Sequence, residues 1–99
     1  MTEADLTRKL IKYLKSEGAY AVKIHGNMYT AGLPDIVGCY HGVFLGLEVK
    51  KPGRENTLTK LQARTLDDIS DSWGVAFVVT DIADCVLALE EARHRSGRL

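Results

Sequence analysis

Asp35 follows a proline, Pro34, and twelve residues later the chain reads Glu48-Val49-Lys50 at the end of an apolar run. Glu48 and Lys50 are two apart, so on a strand they share one face. Two carboxylates held close together repel when both are ionised. A hard divalent cation removes that conflict, and magnesium takes a few carboxylate oxygens plus water or phosphate oxygens. Such an ion polarises a phosphoryl group and lowers the pKa of a bound water. A lysine beside it can orient or deprotonate that water, or offset charge in the transition state. The chemistry that these residue types suggest is therefore water attack on a phosphodiester. Each half has an ordinary alternative: Glu-x-Lys is often a solvated ion pair at a strand edge, and Pro-Asp is mostly a turn signal. The pair gains weight only if the fold sets the two halves on neighbouring strands.

The elements that must do so can be read along the chain. A first helix is expected from Glu3 to about Glu17, capped by Thr2 with Asp5 three residues on and ended by Gly18. Leu6, Leu10, Tyr13 and Leu14 give its apolar stripe, with Ile11 at the edge. Ala19 to His25 alternates as a strand, Tyr20, Val22 and Ile24 on one side and Ala21, Lys23 and His25 on the other. Gly26 to Gly32 is a polar loop. A second strand, Asp35 to Tyr40, is entered through Pro34. His41-Gly42 is a short turn, so the second strand and the third, Val43 to Lys50, form an antiparallel hairpin. In simple register that hairpin sets Asp35 opposite Glu48. Lys51-Pro52-Gly53 stops the strand. Thr57 or Thr59 then caps a second helix reaching about Ser72, with Leu58, Leu61, Leu66 and Ile69 as its buried side. Val75 to Thr80 reads as a strand buried on both faces. A third helix runs from Ile82 or Ala83 to His94. A strand–helix–strand crossover favours parallel pairing. The expected fold is α/β, a mixed four-stranded sheet with helices on both faces in the order αβββαβα, forming one domain over residues 1–99.

Composition only bounds the answer. The chain has 99 residues, 45% hydrophobic and 26% charged, with zero formal net charge. That suits one soluble domain with a modest core. It argues against an overall field that steers nucleic acid, yet basic residues gather locally at Lys9, Lys12 and Lys15, at Lys50, Lys51 and Arg54, at Lys60 and Arg64, and at Arg93, His94, Arg95 and Arg98. No apolar run is long enough to span a membrane. The acidic start, Met1 to Asp5, is unlike a signal peptide. Cys39 and Cys85 lack metal-type spacing and read as buried thiols in a reducing cytoplasm.

With these elements in place, Gly32-Leu33-Pro34-Asp35-Ile36-Val37-Gly38 and Gly46-Leu47-Glu48-Val49-Lys50-Lys51-Pro52-Gly53 resemble the PD-(D/E)XK nuclease superfamily. More narrowly they resemble its VRR-NUC family, in particular the short stand-alone members of phages and bacteria. The likeness covers nearly the whole chain, from the leading helix to Thr59 and Gln62. It implies a restriction-endonuclease-like fold and a DNA endonuclease dependent on Mg2+ or Mn2+, acting in the cytoplasm, that of a bacterial host if phage-encoded. It further implies Asp35, Glu48 and the Val49 carbonyl as metal ligands, with Glu3 supporting the metal from the first helix. Lys50 becomes the catalytic lysine and Gln62 a helix glutamine near the site. Lys23 is expected on the site side as a phosphate contact. His25, Asn27 and Tyr29 in the loop, with Lys51 and Arg54 after the third strand, are the candidate DNA contacts. Plain loop roles stand beside these. Trp73 is expected to pack where the second helix ends, with base stacking as the alternative.

The family includes enzymes resembling Holliday-junction resolvases, so branched DNA is the expected substrate. A two-fold symmetric junction calls for two sites, hence a homodimer. The alternatives are a nuclease for flaps or ends within a recombination or helicase assembly, and a non-catalytic nucleic-acid-binding protein of the same fold.

Overall fold

The computed structural model describes residues 1–97. Arg98, counted above with the basic tail, lies outside them. The element order is α1 (Glu3–Ser16), β1 (Tyr20–Lys23), β2 (Ile36–Tyr40), β3 (Val43–Val49), α2 (Lys60–Asp71), β4 (Val75–Val79) and α3 (Ile82–Ser96). This is the expected αβββαβα order. The strands form one sheet in the order β1-β2-β3-β4, with β1–β2 and β2–β3 antiparallel and β3–β4 parallel.

Local chemistry explains the boundaries. Thr2 caps α1 in a reciprocal box: its hydroxyl accepts the N–H of Asp5 at 3.0 Å, and its own N–H donates to the Asp5 carboxylate at 2.9 Å. Thr59, one of the two threonines left open by the sequence, caps α2 in the same manner with Gln62. Such a cap contributes about 1 kcal/mol. Asp81 caps α3 through the N–H of Asp84. The β2–β3 turn has positive φ at both His41 (53°) and Gly42 (79°). That is the two-residue hairpin turn whose twist matches the strands, and it fixes the register with Tyr40 opposite Val43.

The two faces of the sheet differ. Val43, Leu45, Leu47 and Val49 lie on one, with Ile36, Tyr40, Ala21, Val75 and Val79, and all are buried. They pack beneath α1 and α3, against Leu6, Leu10, Leu14, Cys85, Ala88, Leu89 and Ala92. On the other face α2 packs chiefly over β3 and β4. The β1–β2 half of that face lacks a helix, so Tyr20 and Cys39 are exposed and Val22 and Val37 half-buried. This corrects the expectation that both thiols are buried. Cys85 is buried and Cys39 exposed, and both are free. The sheet order also puts β4 at an edge, so Ala76, Phe77 and Val78 are half-buried rather than enclosed on both faces. Leu61, expected on the buried side of α2, is half exposed because it turns toward Gly32 in the loop rather than toward the sheet. Among the described residues no helix is long and apolar enough to cross a membrane.

One glycine is needed for the sheet to close. A Cβ on Gly38 would lie 1.9 Å from the carbonyl oxygen of Tyr20 on the neighbouring strand. Gly38→Ala must therefore push β1 off the sheet, at a cost of about 3 kcal/mol. Urea unfolding should show the midpoint falling accordingly; an unchanged midpoint would mean that β1 contributes little to the folded state.

Candidate functional site

The register Ile36↔Leu47 and Lys23↔Ile36 extends one step beyond the regular ladder. Ile24 donates its N–H to the carbonyl of Asp35 at 2.8 Å. Asp35 in turn accepts the N–H of Val49 on its side-chain Oδ2, also at 2.8 Å. The aspartate is thus pinned by backbone on both sides, next to Glu48. The hairpin brings the two carboxylates together as the spacing required.

Glu48 is 3% exposed. It shares a face with Gly46, under α2, and Gln62 donates from Nε2 to its Oε2 at 3.3 Å. Burial first, then the adjoining Asp35 carboxylate, which accepts a hydrogen bond from the protonated acid and repels the ionised one, pushes the Glu48 pKa up to about 8. Lys50 opposes that shift and Glu3 adds slightly to it. Both are therefore near enough for their charges to be felt. Gln62 has two tasks, since its Oε1 also accepts the Thr59 N–H at 2.9 Å as part of the helix cap. Sequence reading placed Gln62 at the site but did not resolve that the residue that starts α2 also holds Glu48.

Pro34 has a role that sequence reading missed. The β2–β3 ladder ends at Ile36↔Leu47, two residues after Pro34, and beyond it the Val49 N–H turns to the Asp35 side chain. Proline has no N–H, so Pro34 brings no donor to this end of the strand. The Val49 carbonyl points to the same side of β3 as the Val49 N–H, which is the side of Asp35. Pro34 is fully buried, and an added Cβ on Gly46 would meet its ring at 3.2 Å and the Ile69 side chain at 2.6 Å. Gly46 thus leaves room for loop and helix to close over the site.

Two carboxylates and a backbone carbonyl are hard oxygen donors suited to Mg2+ or Mn2+. The raised pKa of Glu48 fits this as well: without a cation, one of the two acids must keep its proton. Among the described residues no group of three His, Cys, Asp or Glu side chains could hold a metal. Glu3 is exposed in the first turn of α1, where its charge is felt at Glu48.

The remaining expected residues fall less closely around the carboxylates. Lys51 and Arg54 are exposed on the turn after β3. Lys23 shares its face with Ala21 and Ile36, beneath α1, so alternation turns it away from Glu48 and corrects its assignment to the site side. The row on the site side is Ile24, Asp35, Glu48 and Val78. His25, Asn27 and Tyr29 are exposed in a loop that is fastened by its own polar groups. The Thr30 hydroxyl donates to the His25 carbonyl, and the Asn27 side chain accepts the Tyr29 N–H. Tyr29 stays 89% exposed. Trp73 is not packed at the end of α2: it is 76% exposed, with the Arg95 guanidinium over its ring.

No protein-family model matches the chain, and no curated protein matches it significantly.

The Glu48 shift has a measurable consequence. Between the ordinary glutamate value of 4.5 and about 8 the folded protein keeps a proton that the unfolded chain releases. Its contribution to stability is full below that window and is lost as pH rises through it. Metal-free protein should lose several degrees of Tm between pH 5 and 8 relative to Glu48→Gln. Mg2+ at pH 8 should restore about 5 °C in the parent and nothing in the variant. Parallel pH profiles of the two proteins would refute the buried acid.

Proposed function

We propose that this chain is a metal-dependent phosphodiester hydrolase of the VRR-NUC type, within the PD-(D/E)XK superfamily, cutting DNA. The observation that supports it best is the buried Glu48 pressed against Asp35 beside the Val49 carbonyl. A purely structural acid pair would be an unfavourable thing to bury. Asp35, Glu48 and the Val49 carbonyl would hold Mg2+ or Mn2+, which supplies a Lewis acid for the phosphoryl oxygen and a water of lowered pKa. Lys50, next to Glu48 on the same face, orients the attacking water and offsets charge building on the phosphoryl oxygens. Gln62 fixes Glu48 so that its carboxylate does not swing away when it ionises. The water oxygen bonds to phosphorus, the bond from phosphorus to the 3′ oxygen breaks, and the proton ends on that oxygen. The products are a 5′-phosphate and a 3′-hydroxyl.

Lys51 and Arg54, exposed directly after the catalytic strand, are placed to meet the phosphates of the bound strand. Branched DNA is the proposed substrate, and a second copy of the chain would supply the second cut of a symmetric junction. With no net charge, binding outside the cleft is weak and falls with salt.

The test is cleavage of end-labelled four-way junction, flap and linear duplex DNA in Mg2+, Mn2+ or EDTA. Asp35→Asn and Lys50→Met should each lose at least about a thousandfold in rate while keeping their fold by circular dichroism. Cutting that survives EDTA, or survives in Asp35→Asn, would sink the proposal. Cutting of linear DNA in preference to the junction would keep the nuclease and remove the junction.

A further inference from the structure

At the same end of the sheet as Lys50, between the first turn of α1, the Lys51-Pro52 turn and the start of α3, lies an open cavity of about 340 Å3. Met1, Leu6 and Pro52 give it apolar walls, and Lys9, Lys51 and Asp81 contribute charged groups to its lining. We infer that it is a subsite for one unpaired nucleobase of the strand being cut. This rests on the hydrolase reading and names the substrate feature that the site selects.

Three observations carry it. The first is position. The cavity wall adjoins the catalytic strand directly, since Lys51 follows Lys50, and Thr2 at the start of α1 lines its other side. A strand with its phosphate at Glu48 has a neighbouring nucleotide within reach of this wall. The second is charge. Neither Lys9 nor Lys51 takes part in an ion pair among the described residues, so the hollow carries two lysine ammonium groups against the single carboxylate, Asp81, of its lining. That combination fits a flat apolar ring carried on an anionic backbone better than it fits an aliphatic chain. The third is Asp81. Its Oδ1 is committed to the Asp84 N–H of the α3 cap, which leaves Oδ2 to accept a hydrogen bond from the exocyclic amine of a base. Adenine, cytosine and guanine carry such an amine and thymine does not.

A base must leave the stack to enter a hollow of this kind. Taking it from the stack has a cost that is smallest for a base already unpaired. The site therefore favours strands with an unpaired nucleotide beside the cut, such as a flap or a branch point, over continuous duplex.

Two readouts on the full chain test this. In the first, branched substrates carry a single abasic residue at successive positions around the cut. Removal of the base at one position should slow cleavage about tenfold. That sensitivity should vanish in Pro52→Trp, which fills the hollow from its wall. Cleavage that tolerates base loss at every position would overturn the subsite while leaving the nuclease standing. In the second, 2-aminopurine is placed at the same positions and Asp35→Asn protein is titrated in. A change of emission confined to one position and weakened in Lys9→Met supports the subsite even if no DNA is cut, in which case the hydrolase reading alone falls. No position-specific change would overturn it.

Discussion

A buried glutamic acid held against an aspartate is the constraint on which the rest of this molecule turns. Neither side chain could be placed there by its own strand. The pairing depends on the β2–β3 register, which is set at the far end of the hairpin by the two left-handed residues His41 and Gly42. Side chains alternate along a strand, so a slip of one residue would send Glu48 toward α1 and α3 and bring Leu47 out beside Asp35. The apolar face of β3, buried from Val43 to Val49, resists that slip as well. The hydrophobic core thus acts on the site indirectly, by making one register far better than its neighbours.

The unequal covering of the sheet decides how deep the acid lies. Two helices seal one face with aliphatic side chains. On the other, α2 covers β3 and β4 and stops short of β1 and β2. Glu48 lies under the edge of that cover, enclosed enough to lose its hydration, while Asp35 beside it is only half-buried. A carboxylate further under α2 would have no route to solvent or substrate. One on the open half would be an ordinary ionised surface acid with nothing to raise its pKa. The boundary between the two halves is where a proton and a divalent cation can compete for the same oxygens.

Much of this was legible in the sequence because it is written in short-range rules. The capping residues Thr2 and Asp5, the hairpin turn and the alternation of β3 each involve neighbours within a few positions. Together they determine the fold order and the opposition of Asp35 to Glu48. What was not legible depends on which helix covers which face. Alternation groups Lys23 with Ala21 but does not say that this group lies under α1, so Lys23 was assigned to the wrong side. An apolar periodicity puts Leu61 with Leu58 and Leu66, yet Leu61 is drawn to Gly32 of the loop. Cys39 resembles a core residue in a strand of Ile36 and Val37, and it is exposed because it lies on the face of β2 opposite α1 and α3. Trp73 follows the end of α2 with positive φ and stands exposed, and no local pattern marks a tryptophan for that position.

At two positions the local rules leave a choice that the electrostatics of the site resolves. The capping box at the start of α2 is satisfied equally by glutamate or glutamine three residues after the threonine. Glutamate at position 62 would cap the helix and also press a third carboxylate on Glu48. Glutamine caps with its carbonyl oxygen and has an N–H left to donate to that acid. Position 34 is similar. Almost any residue could lead into β2, and any but proline would bring a backbone N–H to this end of the strand. Proline is disfavoured within sheets because it withholds a ladder bond. Here the missing N–H leaves Pro34 unable to donate to the buried strand end beside Asp35 and Glu48. In both cases the side chain that serves the strand or helix least conspicuously is the one whose remaining polar group, or missing one, makes the acid pair usable.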